Sequence, residues 1–159
     1  RPAVERVKRH FIDQVLTKVD REAISQAIHM TETVTSGEIR LVVRERRHFG
    51  EKGLSLEKIA LREFHRLDLS KTRDRTAILL FLLLSERKFH IVADEGIHRN
   101  VADGTWERVA NSMSVEFKKG KFREGIIEGL ELVGKILSET LPPKPGDRNE
   151  LSNKVIVEG

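Results

Sequence analysis

The sequence predicts an α/β fold, a three-layer α/β/α sandwich around a small mixed β-sheet. Three patterns carry this. Residues 77–84, AILLFLLL, have no polar face, which suits a central strand covered by helices on both sides. EIRLVVR (38–44) and KFHIVA (88–93) alternate with period two, as strands do. The flanking segments repeat apolar residues at spacings of three and four, the helix period.

Taken in order, Val4, Val7, Phe11 and Val15 predict a first helix over 2–16. Residues 17–20 resemble a helix start. A second helix runs to about Val34, with Ala23, Ala27 and Ile28 on its inner face and Ser36-Gly37 ending it. The strand 38–44 follows and is expected to be half buried, with Ile39, Leu41 and Val43 inward. Beyond a charged, glycine-containing loop, Ser55 caps a helix carrying Leu56, Ile59, Ala60, Glu63, Phe64 and Leu67.

The apolar strand 77–84 is joined through the turn Ser85-Glu86-Arg87 to the third strand, as a hairpin. A helix from about Asp103 to Phe117 puts Trp106, Val109, Ala110, Met113 and Phe117 on one stripe. The last helix, 122–139, buries Phe122, Ile126, Leu130, Val133 and Leu137; its Gly125 and Gly129 imply close packing on the sheet. Pro142, Pro143 and Pro145 end the compact part, and VIV near the C-terminus is either a small edge strand or disordered. The chain thus divides into an N-terminal helix (1–16), a domain (17–141) and a tail (142–159).

Connectivity fixes a topology. The first and second strands are linked through a helix and should be parallel, with a right-handed crossover. The hairpin makes the third antiparallel. The start of the first strand (Glu38), the start of the second (Arg73, Asp74, Arg75) and the end of the third (Asp94, Glu95, Gly96) should therefore share one edge of the sheet, with Asp103 folding back to it. Asp94, Glu95, Asp103, Asp74 and Glu38 are candidate ligands for a hard divalent cation, which takes several oxygens from separate segments. Arg73, Arg75, His98 and Arg99 are candidate anion-binding groups. The alternative reading makes Asp103 a helix N-cap, Asp94-Glu95-Gly96 a turn and the arginines ion-pair partners. The spacing after Asp94 does not match an EF-hand loop.

Composition narrows the function classes. At 159 residues the chain suits one domain with one core. It has no cysteine, which excludes disulfide scaffolds and thiolate metal sites. The longest apolar run is eight residues, too short to span a bilayer, which takes roughly 20 in a helix. No signal peptide is visible at Arg1, so a cytoplasmic location is expected. The net charge of +4 and pI near 9.5 are only mildly basic. The short clusters RVKR (6–9) and RERRH (44–48) come without a recognition-helix signature or an aromatic stacking series, so no nucleic-acid partner is expected. There is no Gly-x-Ser-x-Gly and no His-Glu-x-x-His. His29, His65 and His90 lie at no paired ligand spacing.

DEGIHRNVADGTW (94–106) with FKKGKFREG (117–125) resembles the TPM domain, named after a thylakoid lumen phosphatase, a photosystem-repair protein and a receptor-associated membrane protein. TSGEIRLVV and AILLFLLLSERKFHIVADEGI resemble it too, so the likeness runs from about Leu16 to Leu141, and NELSNKV looks like tails of the soluble bacterial branch. Its most specific parts are the glycine-isoleucine after the third strand, Trp106, and Phe117, Gly120, Phe122 and Gly125. The resemblance implies an α/β/α sandwich and a divalent cation site, often calcium, on acidic residues at one sheet edge. Asp94 and Asp103 match acidic positions of the family motif, and Glu95 matches less closely. The chain departs from many bacterial relatives in lacking a visible signal peptide and membrane helix, and in having Thr76-Ala77 where the second strand often begins with Asn-Gly.

Two function classes follow. One is a binding or adaptor module for a protein partner, as monomer or homodimer, with a calcium or magnesium site. The other is a metal-dependent acid phosphatase, with Asp94 as candidate nucleophile or ligand and the arginines as phosphate clamps. Scarce Asn and Gln beside abundant Lys, Arg and Glu also point to a thermophilic source. Thermal unfolding above the roughly 45–65 °C range of mesophile domains is the expected outcome, and a midpoint inside that range would count against it.

Overall fold

The computed structural model describes residues 12–145 and 155–158. Residues 12–15 are helical, and the rest of the expected N-terminal helix, with the RVKR cluster, lies outside the described residues. Four strands form one sheet: β1 (Glu38–Arg44), β2 (Ala77–Leu83), β3 (Lys88–Ala93) and β4 (Ile156–Glu158), in the order β3-β2-β1-β4. β1 and β2 are parallel, from Glu38↔Ala77 to Arg44↔Leu83. β2 and β3 are antiparallel, and β4 runs parallel to β1 beside Val42, Val43 and Arg44. VIV is thus an edge strand.

Helices cover both faces. One face of the sheet, with Ile39, Leu41, Leu80 and Ile91, packs against α1 (Lys18–Glu32), α4 (Thr105–Lys118) and α5 (Phe122–Thr140). The other, with Val42, Leu79 and Phe81, packs against α2 (Leu56–Arg66). A short helix, α3 (Glu95–His98), follows β3. Local sequence sets the helix starts. Thr17 and Asp20 form a reciprocal capping box at α1, with bonds of 2.9 and 3.1 Å. Ser55 accepts from the Lys58 amide at α2.

Three expectations need correction. β1 is not half buried: it lies under both helical layers, and Glu38, Val42 and Arg44 are buried along with the inward set, Val42 and Arg44 where β4 flanks them. The helix expected from Asp103 starts at Thr105; Asp103 does not cap it, because Gly104, at φ +80°, holds the N-cap position. Gly125 and Gly129 are shaped by helix–helix contact rather than by the sheet. A Cβ at Gly129 would lie 2.3 Å from the Met113 side chain on α4, and one at Gly125 would lie 2.9 Å from Phe117.

β4 is held to β1 by charge as well as by the ladder. Arg44 is 2% exposed and lies over the Phe81 ring at 5.2 Å. Its guanidinium reaches Glu51 at 2.7 Å, Glu158 at 3.0 Å and Glu63 at 3.5 Å. Arg66 closes the network on Glu63 and Glu158, at 2.6 Å each. Burial favours the neutral form of Glu63, but Arg66, Glu158 and Arg44 outweigh it and hold the carboxyl down at about 2. Burial, then the adjacent Glu63, push Glu158 up. Ile39 lies before the stretch of β1 that β4 covers, and it donates its amide to Glu32 at 2.8 Å. Burial, reinforced by the charge of Glu38, pushes the Glu32 carboxyl up to about 7 against the opposing pull of that amide and Arg40.

Two outcomes follow. Arg44→Met leaves three carboxylates without their shared cation, and unfolding in denaturant should show a loss of about 3–5 kcal/mol; a change under about 1 kcal/mol would refute the role of Arg44. Glu32 and Glu158 bind a proton more tightly folded than unfolded, where a glutamate titrates near 4.5. Their contribution is therefore full below pH 4.5 and lost as pH rises through about 7. The denaturation midpoint should fall between pH 5 and pH 8, and Glu32→Gln should flatten the slope. An unchanged slope in that variant would contradict the assignment.

Candidate functional site

The edge predicted from connectivity exists. The Glu38 amide donates to the Thr76 carbonyl and the Asp94 amide to the Ala77 carbonyl, both at 2.9 Å, so the starts of β1 and β2 and the end of β3 meet there. The side chains do not pool. Asp94 is 6% exposed and takes a fork of two bonds from Arg75, Nε to Oδ2 and Nη2 to Oδ1, each 2.9 Å. It also accepts the Glu95 amide at 2.8 Å as N-cap of α3. Arg75 sits in the left-handed region at φ 57°, and the hydrogen bond to Asp94 raises its pKa. Gly96 is required here, because a Cβ would come within 2.4 Å of the Asp74 carbonyl oxygen and 2.6 Å of that of Arg75.

The other candidates scatter around this pair. Glu95 is exposed, 3.7 Å from Arg75. Asp74 faces Arg73 at 3.4 Å and Lys144 at 3.7 Å. Glu38 is buried and acts electrostatically on Glu32. Asp103 is exposed in the turn before α4. His98 and Arg99 are exposed at the end of α3. Among the described residues no three acidic or histidine side chains form a group able to hold a metal ion. A hard cation wants six to eight oxygens, and the buried carboxylate best placed to offer two is occupied by a guanidinium. As arranged, these residues do not fit a calcium or magnesium cage. The RERRH cluster is likewise consumed: Arg44 is inside, Arg46 pairs with Glu45 and Arg47 with Glu86.

The sequence reading missed a cleft of about 490 Å³ along β3, between α2 and the start of α4. Glu57 and Leu61 line one side, Trp106 and Glu107 the other, and His90, Ile91, Val92 and Ala93 the floor. Burial lowers the His90 pKa, while the charges of Glu57 and Glu107 oppose it. Trp106 is 8% exposed, and its indole N–H has no acceptor among the described residues. A signal was present in the sequence: a third strand joined by a hairpin, with no later strand beside it in the chain, ends at the rim of a sheet.

Comparison with known proteins agrees with this architecture. A family model described as the TPM domain matches residues 12–136. No curated protein matches. Among solved structures, the NMR structure of BA42 protein from the psychrophilic bacterium Bizionia argentinensis is 30% identical, with a TM-score of 0.80, covering 89% of this chain and 94% of that one. The N-terminal domain of a protein from P. gingivalis is 20% identical, with a TM-score of 0.67 and coverage of 80% and 79%. The N-terminal domain of cg2496 protein from Corynebacterium glutamicum is 13% identical, with a TM-score of 0.56 and coverage of 87% and 78%; it and the P. gingivalis domain speak to fold alone. With the family match spanning most of its length and the sandwich in place, this chain belongs to the TPM domain family.

Proposed function

We propose that the domain is a binding or adaptor module for a protein partner. The observation that carries this is the state of Asp94, the residue best placed for phosphoryl chemistry. Its carboxylate is buried, bonded on both oxygens by Arg75 and once more by the Glu95 amide. A nucleophile or metal ligand needs a free lone pair aimed at its target, and Arg75 cannot clamp a phosphate while it is forked onto Asp94. The cleft along β3 is lined by no serine, threonine or cysteine. What the surface offers is concave area with a few polar groups, as binding sites do.

A cation-dependent form of the same module, with calcium or magnesium on Asp94 and Glu95, requires Arg75 to release Asp94. Support for it is limited to the presence of Asp94, Glu95 and Asp74 at one edge. The metal-dependent phosphatase is the competing class, and it needs the same release.

Hydrolysis of an aryl phosphate, followed from pH 5 to 7.5 with and without calcium or magnesium, should not rise above the uncatalysed rate. Turnover that Asp94→Asn abolishes would overturn the module reading. Calorimetric titration of either ion into metal-stripped protein should give no saturable heat, whereas saturable heat lost in Asp94→Asn would establish the cation-dependent form.

A further inference from the structure

β3 ends the sheet on one side, and among the described residues no strand lies beyond it. The Asp94 amide bonds to the Ala77 carbonyl. Antiparallel alternation then gives Val92, His90 and Lys88 to β2 and turns the N–H and C=O groups of Phe89, Ile91 and Ala93 outward. No turn, loop or side-chain hydrogen bond among the described residues uses these outward groups. They form a row repeating at about 7 Å, the template another strand would need.

This row borders the cleft between α2 and α4. Across the cleft Glu57 and Glu107 stand without a hydrogen bond or ion pair among the described residues, and both act electrostatically on His90. Most other acids near the sheet are neutralised by arginine, including Asp94, Glu63, Glu51 and Glu86. A chain of net charge +4 thus has, at one concave place, two carboxylates that make no ion pair among the described residues. Beside them the cleft is lined by Leu61, at 46% exposure, and by the Trp106 side chain.

We propose that this cleft docks an extended basic segment of a partner protein, which adds to β3 as a strand and sets lysine or arginine side chains between Glu57 and Glu107. Main-chain bonds to the outward groups of β3 supply affinity, and the two carboxylates supply sequence preference. Charge argues against a second copy of this chain as occupant: β3 paired with β3 about a twofold axis would bring the same two carboxylates against themselves. The inference rests on the module reading and names its partner surface.

The probe is a seven-residue peptide, acetyl-Val-Lys-Val-Arg-Val-Lys-Val-amide, titrated into the 159-residue protein and read by amide chemical shifts and fluorescence anisotropy. Shifts should map to residues 88–93 and to Glu57 and Glu107. The double variant Glu57→Gln with Glu107→Gln, both on the surface of folded helices, should weaken binding about tenfold and reduce its salt dependence. Replacing the basic residues of the peptide with glutamate, or N-methylating its alternate amides, should abolish binding. The inference is overturned by binding indifferent to the double variant, by shifts that map elsewhere, by no binding at all, or by concentration-dependent self-association that protects the same amides. Any of those leaves the module reading in place, which falls only to turnover at Asp94.

Discussion

The structure depends first on the burial of β2. Its seven residues, AILLFLL, are all inside, so both faces of the sheet must be covered and the strand must be flanked on both sides. Each fully buried leucine or isoleucine is worth about 1.5–3 kcal/mol relative to exposure, so a strand with such residues on both faces dictates the layers around it. Helices then occupy both faces, β1 takes one side of β2 through a parallel crossover, and the hairpin places β3 on the other. The same arrangement puts β3 at the rim and brings its end to the starts of β1 and β2. Asp94 meets Arg75 because of that return, and the cleft exists because α2 and α4 cover opposite faces of a strand that, among the described residues, no other strand flanks on its outer side.

Charge is handled in two different ways in this small domain. At the far end of β1, Arg44 is buried with Glu51, Glu63 and Glu158, and Arg66 completes the set. Removing charges from water is expensive, so such a network holds only when every member is matched. The match includes one raised and one lowered carboxyl, Glu158 and Glu63, side by side. It fastens the three-residue β4, which is too short to hold itself by its ladder alone. Glu57 and Glu107, by contrast, are exposed and make no ion pair among the described residues.

Much of this was legible in the sequence, because periodicity reports burial. The strand 38–44 and the third strand are found with their bounds unchanged, and the parallel and antiparallel pairings follow from connection length. What stayed hidden depends on neighbours that are distant in the chain. β1 reads as half exposed because Glu38, Arg40 and Arg44 alternate with apolar residues, yet β4, more than 100 positions later, covers its far edge and Arg44 finds acids there. Gly125 and Gly129 read as contacts with the sheet because sequence does not say which helix approaches. Asp94 reads as a ligand, a nucleophile or a turn residue. Only the partner at Arg75, set by a left-handed turn before β2, separates these readings. Beyond the hairpin that places β3 at the rim, the cleft left no trace, since Glu57, His90 and Glu107 are far apart in the chain and each is individually ordinary.

The central claim is that Asp94 is a locked structural carboxylate and that the domain works by binding. The Nε–H of Arg75 reports on this directly, because it donates to the buried Oδ2 of Asp94. Its proton–nitrogen correlation should be resolved, should exchange slowly with solvent, and should stay unchanged when calcium or magnesium is added. A signal that exchanges freely, or one that moves with saturation as the cation is added, would mean that Asp94 is available for a ligand and would contradict the account.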